Sequence, residues 1–326
     1  MDKTGFRALL EKRKCSEAQI EASLAMAERF DAFLQQPGRQ ANAETAWEFS
    51  RLLIAEGNNT EENYIALIRY CWFIRNNDMF VALLELVDGG EVGGNLYQRT
   101  GDRFGVELRD EIFAGIGVAP YGIPTSDKPA YLQPVLRRLE ARVGEAACQE
   151  FLSASLRDLP DEYYLHEREK YRRAGNVDTY LRQRKDAFLA ELEACQREGR
   201  LFFSQEITDE VLDFVRHDPE MGGGRREGNI IYEVKIPYQT KQYLQANDPT
   251  LKRYYGCHCP WARSALINQD VQPATTFCYC SGGFHKKPWE VIFEQPLRVE
   301  VLESILKSDE RCRFAIYLPQ DLVADG

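Results

Sequence analysis

VEVLESILKSDERCRFAIYLP, residues 299–319, reads as two strands joined by a short polar turn. Residues 298–306 and 312–319 are rich in β-branched and aromatic side chains, and Lys307-Ser308-Asp309-Glu310 supply the turn, so a hairpin is expected here. Working back along the chain, the spacing of Ile230, Ile231, Tyr232, Val234 and Ile236 shifts from helical to a period of two after Gly228 and stops at Pro237, which predicts a strand. ATTFCYC at 274–280 predicts another, followed by a break at Ser281-Gly282-Gly283 and a short helix in FHKKPWEVIFE. Strands, intervening helices and a final hairpin make the expected fold class α+β, with a helical N-terminal region followed by a C-terminal domain of antiparallel or mixed sheet and packed helices.

Upstream the period is helical. Ser16 with Gln19 forms a capping-box signature, and Ile20, Leu24, Ala27, Phe30, Phe33 and Leu34 continue it to Pro37-Gly38. Asn42 is placed to cap a second helix that stops at Gly57, and Thr60 a third through Tyr64, Leu67, Ile68 and Cys71. AERFDAFL and TEENYIALIRYCWFI resemble the arm-like helical domain of tyrosine recombinases, but this region has no excess of basic residues and its aromatics sit at core spacing, so a packed bundle is expected. From Asp88 the glycines and prolines thicken. DGGEVGG lacks the lysine of a phosphate loop, so turns and a hinge are expected there. Helical spacing returns at Asp127–Leu139, 146–152 and 160–217. The expected organisation is a helical bundle at 1–87, a Gly/Pro-rich joint at 88–126, and helices plus an α+β domain at 127–326.

The chain has 326 residues, 44% hydrophobic and 28% charged, which fits folded domains and excludes wholesale disorder. Lysine and arginine total 41 against 51 aspartate and glutamate, a net charge of −10, which argues against nucleic acid as a partner. No run approaches the roughly eighteen apolar residues of a membrane span. The charged opening MDKTGFRALLEKRKCSE lacks a signal-peptide core, so a cytoplasmic location is expected. His166, among glutamates in DEYYLHEREKYRR, is expected on a solvated helix face, and Gly222-Gly223-Gly224-Arg225-Arg226 in a loop, with an anion contact as second reading.

Chemistry concentrates in the cysteines. Cys15, Cys71, Cys148 and Cys195 lie singly in helical patterns, whereas Cys257, Cys259, Cys278 and Cys280 form two Cys-x-Cys pairs. On a strand, Cys278 and Cys280 would share a face, and Pro260 would hold Cys259 out of a helix, so four sulfurs could converge on zinc, an iron–sulfur cluster being the alternative. If instead a helix begins after Cys280, its amides would lower that thiol's pKa and make it a nucleophile, with His258 or His285 carrying the proton. Buried, inert cysteines remain the third reading.

YYGCHCPWAR at 254–263, FCYCSGGFHKKPWEVIF at 277–293 and the hairpin at 299–319 are similar to the C-terminal part of the L-2-amino-thiazoline-4-carboxylate hydrolase group and, more distantly, to 4-vinyl-reductase-type domains. That group carries a Gly-Asp-x-x-Cys-x-Phe signature; Asp309, Cys312 and Phe314 match it, and Ser308 replaces the glycine. The resemblance implies a pocket for a small organic molecule and, in the hydrolase branch, opening of a cyclic C–N bond by water. It makes Cys312 a ligand-facing or structural thiol, and places Trp261 and Arg263 with it as expected ligand-binding residues.

Overall fold

The computed structural model describes residues 1–268 and 274–320. Contacts divide the chain into two compact units, Met1–Leu132 and Gln133–Gly326.

The first unit is helical. Ser16 accepts from the Gln19 amide at 3.3 Å while the Gln19 side chain accepts from the Ser16 amide at 2.9 Å, so the capping box starts the helix Glu17–Leu34 as its sequence predicts. Asn42 and Thr60 cap the helices Ala43–Ala55 and Glu61–Phe73 in the same way. Their apolar stripes meet in one core around Phe6, Phe30, Phe49, Tyr64 and Leu67, with the Phe30 and Phe49 rings 4.9 Å apart. Each such buried phenylalanine contributes about 1.5–3 kcal/mol. Residues 88–126 differ from the expected run of turns: they contain the helices Val92–Phe104 and Val106–Phe113. Glycines at 93, 94 and 101 weaken helix propensity, but Val92, Leu96 and Thr100 form a buried stripe at four-residue spacing, and packing of that stripe overrides the local preference.

The second unit is α+β. The helix Lys128–Val143 runs through the boundary at Leu132, and Glu145–Ser153, Leu165–Ala174, Val177–Glu198 and Asp209–His217 follow; together they occupy the stretches of helical spacing. Four antiparallel strands follow, β1 (Arg225–Glu227), β2 (Ile230–Val234), β3 (Arg298–Glu303) and β4 (Arg313–Tyr317), in the order β1-β2-β4-β3. The expected hairpin is β3 and β4, paired from Arg298 with Tyr317 to Glu303 with Arg313. Ser308 holds φ at 76°, so the turn keeps the left-handed residue that a glycine would occupy more easily. One sheet face packs Ile231, Val299, Val301, Phe314 and Ile316 against Trp289, Ile292, Val177, Tyr180 and Leu181. Val234 joins a separate cluster with Met221, Val211, Val215 and Leu192. His166 is exposed, and Arg225 and Arg226 are ion-paired with Glu220, Glu227 and Asp178, which leaves the anion reading of that loop unsupported.

The expected strand at 274–280 is absent. Thr275–Phe277 form a 3-10 turn that runs into the helix Cys278–Phe293, which continues through Ser281-Gly282-Gly283 without a break. The TTFCYC run favours a strand locally, but the segment is helical and Gly283 brings that helix against the backbone of Ser153–Ser155. A Cβ on Gly283 would lie 2.4 Å from the Ser153 carbonyl and 2.6 Å from the Ser155 amide, both backbone atoms that cannot swing aside. Gly283→Ala is therefore expected to cost about 1–3 kcal/mol in chemical denaturation. A change within about 0.5 kcal/mol, the range of an ordinary surface substitution, would show that the helix does not need this contact.

Candidate functional site

Alternation along β2 puts Ile231 and Glu233 on the sheet face covered by the Cys278–Phe293 helix, and Lys235 continues the same direction. Glu233 is buried at 5% exposure. Its Oε1 accepts from Trp289 Nε1 and from Arg184 Nη1, both at 2.9 Å, and its Oε2 accepts from His285 Nδ1 at 2.7 Å. Burial alone would raise its pKa, but Arg184 and then His285 outweigh that cost and hold the carboxyl at about 2. Glu233 is thus an anion at every working pH.

A carboxylate can only accept, so His285 donates from Nδ1 and keeps Nε2 as an open lone pair. Its ring stacks on Phe314 with centroids 4.6 Å apart. Burial lowers its pKa below the usual 6.5; Glu233 opposes this, and Lys235 and Arg184 add to it. The imidazole is therefore neutral near pH 7, the form a general base requires. Lys235 donates to Ser281 Oγ at 3.0 Å, and Ser281 lies one helical turn before His285 on the same side of the helix. His258 donates from Nε2 to the Ile236 carbonyl at 2.5 Å and packs edge-on to Tyr238. Burial and then Lys235 lower its pKa well below 6.5.

Five cysteines gather beside this group. Cys257, Cys259, Cys278, Cys280 and Cys312 are free thiols, and pairs among them are close enough that ionising one opposes ionising the next. Each sulfur has its own donor. The Cys259 amide points to Cys257, the Trp261 amide to Cys259, and the Ile305 amide to Cys312. Ser304 Oγ meets Cys278 Sγ at 2.9 Å, and the Leu156 amide meets Cys280 Sγ at 3.2 Å. Burial dominates all the same: Cys257 is pushed up to about 11, Cys278 well above 9.0, and Cys280 and Cys312 upward as well. At neutral pH the thiols are protonated.

Two expectations change with this geometry. Cys278 and Cys280 lie in the first turn of a helix, where residues two apart point to nearly opposite sides, so Cys278 faces Ser304 while Cys280 faces Leu156 and Ser155. They do not share a face as strand residues would. Nor does a helix begin after Cys280 to acidify it; the helix begins at Cys278, and burial raises the Cys280 pKa. Among the described residues, no three His, Cys, Asp or Glu side chains are arranged to hold a metal ion.

A cavity of about 400 Å³ opens alongside, its lining mixing apolar residues such as Phe214, Tyr243 and Ile305 with Lys235, Cys312, Asp218, Glu303 and Asp309. Trp261 and Arg263 are buried outside that lining, with the Arg263 guanidinium 4.1 Å from the Tyr238 ring centroid and 5.2 Å from that of Tyr254. The residues that composition and spacing did not single out are Glu233, Lys235, Arg184, Ser281 and Ser304. A signal for two of them is present in IIYEVKIP: strict alternation puts Glu233 and Lys235 on the same face as the apolar Ile231, where a charge needs a partner.

Glu233→Gln is expected to destabilise the fold by about 3–5 kcal/mol, because Arg184 loses its buried counter-charge. The pH dependence has a definite sign. A carboxyl lowered from 4.5 to about 2 gives stability that is complete above pH 4.5 and is lost as pH falls toward about 2. His285, also lowered, adds a loss that begins below pH 6.5. Denaturation curves at several pH values should therefore show the wild type and Glu233→Gln converging in acid.

The model of a family described as a family of unknown function (DUF6144) matches residues 238–323, a span that holds all five clustered cysteines, His258 and His285 but neither Glu233 nor Lys235. No curated protein and no solved structure matches the chain.

Proposed function

We propose that the second unit binds a small organic molecule in the cavity beside Cys312 and opens a cyclic carbon–nitrogen bond in it by hydrolysis. The observation that carries this reading is the position of Lys235, which lines the cavity and also reaches Ser281, one turn from His285. A cavity of this size falls within the range of small-ligand sites, and its apolar residues could take the ligand body while Lys235 and its other charged residues orient it.

His285 is the general base. Glu233 fixes its tautomer and orientation; His285 lies outside the cavity lining, so this reading requires the attacking water to sit between the ring and Lys235, where the neutral ring takes its proton as the water oxygen bonds to the electrophilic carbon. The C–N bond then breaks, and the ring nitrogen leaves with a proton returned from the imidazolium. Lys235 supplies positive charge where the substrate builds up negative charge. The buried thiols, protonated at neutral pH, are poor nucleophiles, which favours an imidazole-activated water over attack by Cys280. The nine free cysteines fit a reducing compartment, and we place the protein in the cytoplasm. No helix among the described residues is long and apolar enough to cross a membrane.

The test is to incubate the full chain with a series of cyclic amidines and thiazoline carboxylates and to follow ring opening by the mass of one added water. Ring opening should fall by about 10²–10⁴-fold in His285→Asn, while ligand-induced thermal stabilisation persists. Since the folded imidazole ionises below 6.5, the acid limb of the rate profile should lie below that pH. No ring-opened product across the series, or an undiminished rate in His285→Asn, would defeat the hydrolytic reading.

A further inference from the structure

The helix Cys278–Phe293 lies along β2 with one face, Ser281, His285 and Trp289 at four-residue spacing, over the alternating row Lys235, Glu233 and Ile231. The contacts follow that order. Lys235 donates to Ser281 Oγ at 3.0 Å, Glu233 accepts from His285 Nδ1 at 2.7 Å and from Trp289 Nε1 at 2.9 Å, and Trp289 packs in the cluster that holds Ile231. Gly282 and Gly283 seat the helix: a Cβ on Gly282 would lie 3.3 Å from Val299, as one on Gly283 would meet the Ser153–Ser155 backbone. The spacing of Ser281 and His285 sets their Cβ atoms about 5–6 Å apart, and the longer ring leans back over the turn that carries the serine. Among the described residues, the Ser281 hydroxyl proton has no acceptor and His285 Nε2 has no donor.

We propose that Ser281 is a nucleophile, that Ser281, His285 and Glu233 form a serine–histidine–glutamate triad, and that this triad cleaves small carboxylic esters through an acyl-serine. A serine hydroxyl becomes a nucleophile when a neutral base takes its proton and a carboxylate orients that base. Here His285 is the base and Glu233 the orienting group. Lys235 makes no ion pair among the described residues, so its charge is available to the oxyanion that forms on the acyl carbonyl. It also lines the cavity, which puts Ser281 Oγ within 3.0 Å of a lining group, and His285 keeps 16% of its side chain exposed. A turn of Ser281 about χ1 brings its hydroxyl to the ring. His285 Nε2 takes the proton as Oγ bonds to the acyl carbon; the C–O bond to the alcohol breaks, and the alcohol leaves with that proton. Water, activated by the same ring, then attacks the acyl carbon, Oγ recovers a proton, and the free acid is released. The triad shares His285 and Glu233 with the hydrolytic reading but neither its nucleophile nor its substrate, so each can fail alone.

The full, unaltered chain is treated with an alkyl fluorophosphonate, which phosphonylates an activated serine with loss of fluoride. The intact mass should rise by one phosphonyl group, and peptide mapping should put that group on Ser281. With nitrophenyl acetate the protein should release a burst of about one nitrophenolate per chain. His285→Asn should be labelled about 10²–10⁴-fold more slowly, and Ser281→Ala should lose both label and burst. Since burial holds the His285 pKa below 6.5, the labelling rate should fall only below that pH. An unlabelled chain, a label on a cysteine or on any residue other than Ser281, or undiminished labelling of His285→Asn would overturn the assignment. Peptide mapping needs only the unaltered protein, so it decides the nucleophile even if the variants fail to fold. Labelling at Ser281 without ring opening of any amidine or thiazoline would leave the triad standing and sink only the hydrolytic reading.

Discussion

A single carboxylate, Glu233, organises the second unit. It sits in one of the two inner strands of the sheet, on an apolar face where an isolated charge would be intolerable, and it is tolerated because three donors from two helices converge on it: Arg184, His285 and Trp289. The same contacts that neutralise the charge fix the helix Cys278–Phe293 against the sheet and select the tautomer of His285. Fold and chemistry therefore share one set of hydrogen bonds.

The thiols and the imidazoles respond differently to a common environment. Desolvation opposes the charged form of both, so it keeps histidine neutral, which suits a base, and keeps cysteine protonated, which blocks a nucleophile. Only a cation can make the buried sulfurs anionic. Lys235 acts in that direction on several of them but does not overcome burial. This contrast favours the proposed imidazole-activated water over attack by a cysteine.

Much of the architecture was legible in the chain. The capping box at Ser16, the alternation from Ile230 to Ile236 and the hairpin after Arg298 are local signals, and local signals of this kind survive folding. The failures were tertiary. TTFCYC favours a strand by composition, but the segment is helical and packs Gly283 on the Ser153–Ser155 backbone, a contact invisible from one segment. That change of element rotated Cys280 away from Cys278, so the expected set of four converging sulfurs is not formed. His285 was recognisable as a proton carrier, yet its partner Glu233 lies 52 positions away in sequence, and pairing across that distance leaves no mark on spacing.

The alternation in β2 also constrains how the sheet assembles. Sliding β2 by one residue would carry Glu233 and Lys235 to the side where Val234 meets Met221, Val211 and Leu192, and would bury two charges among aliphatic groups. Apolar groups stand on both sides of the strand, Ile231 on one and Ile230, Val234 and Ile236 on the other, so apolar contact would survive the slip in part. The charged pair thus acts as a lock on strand alignment, excluding a misfold that the aliphatic residues by themselves would accept.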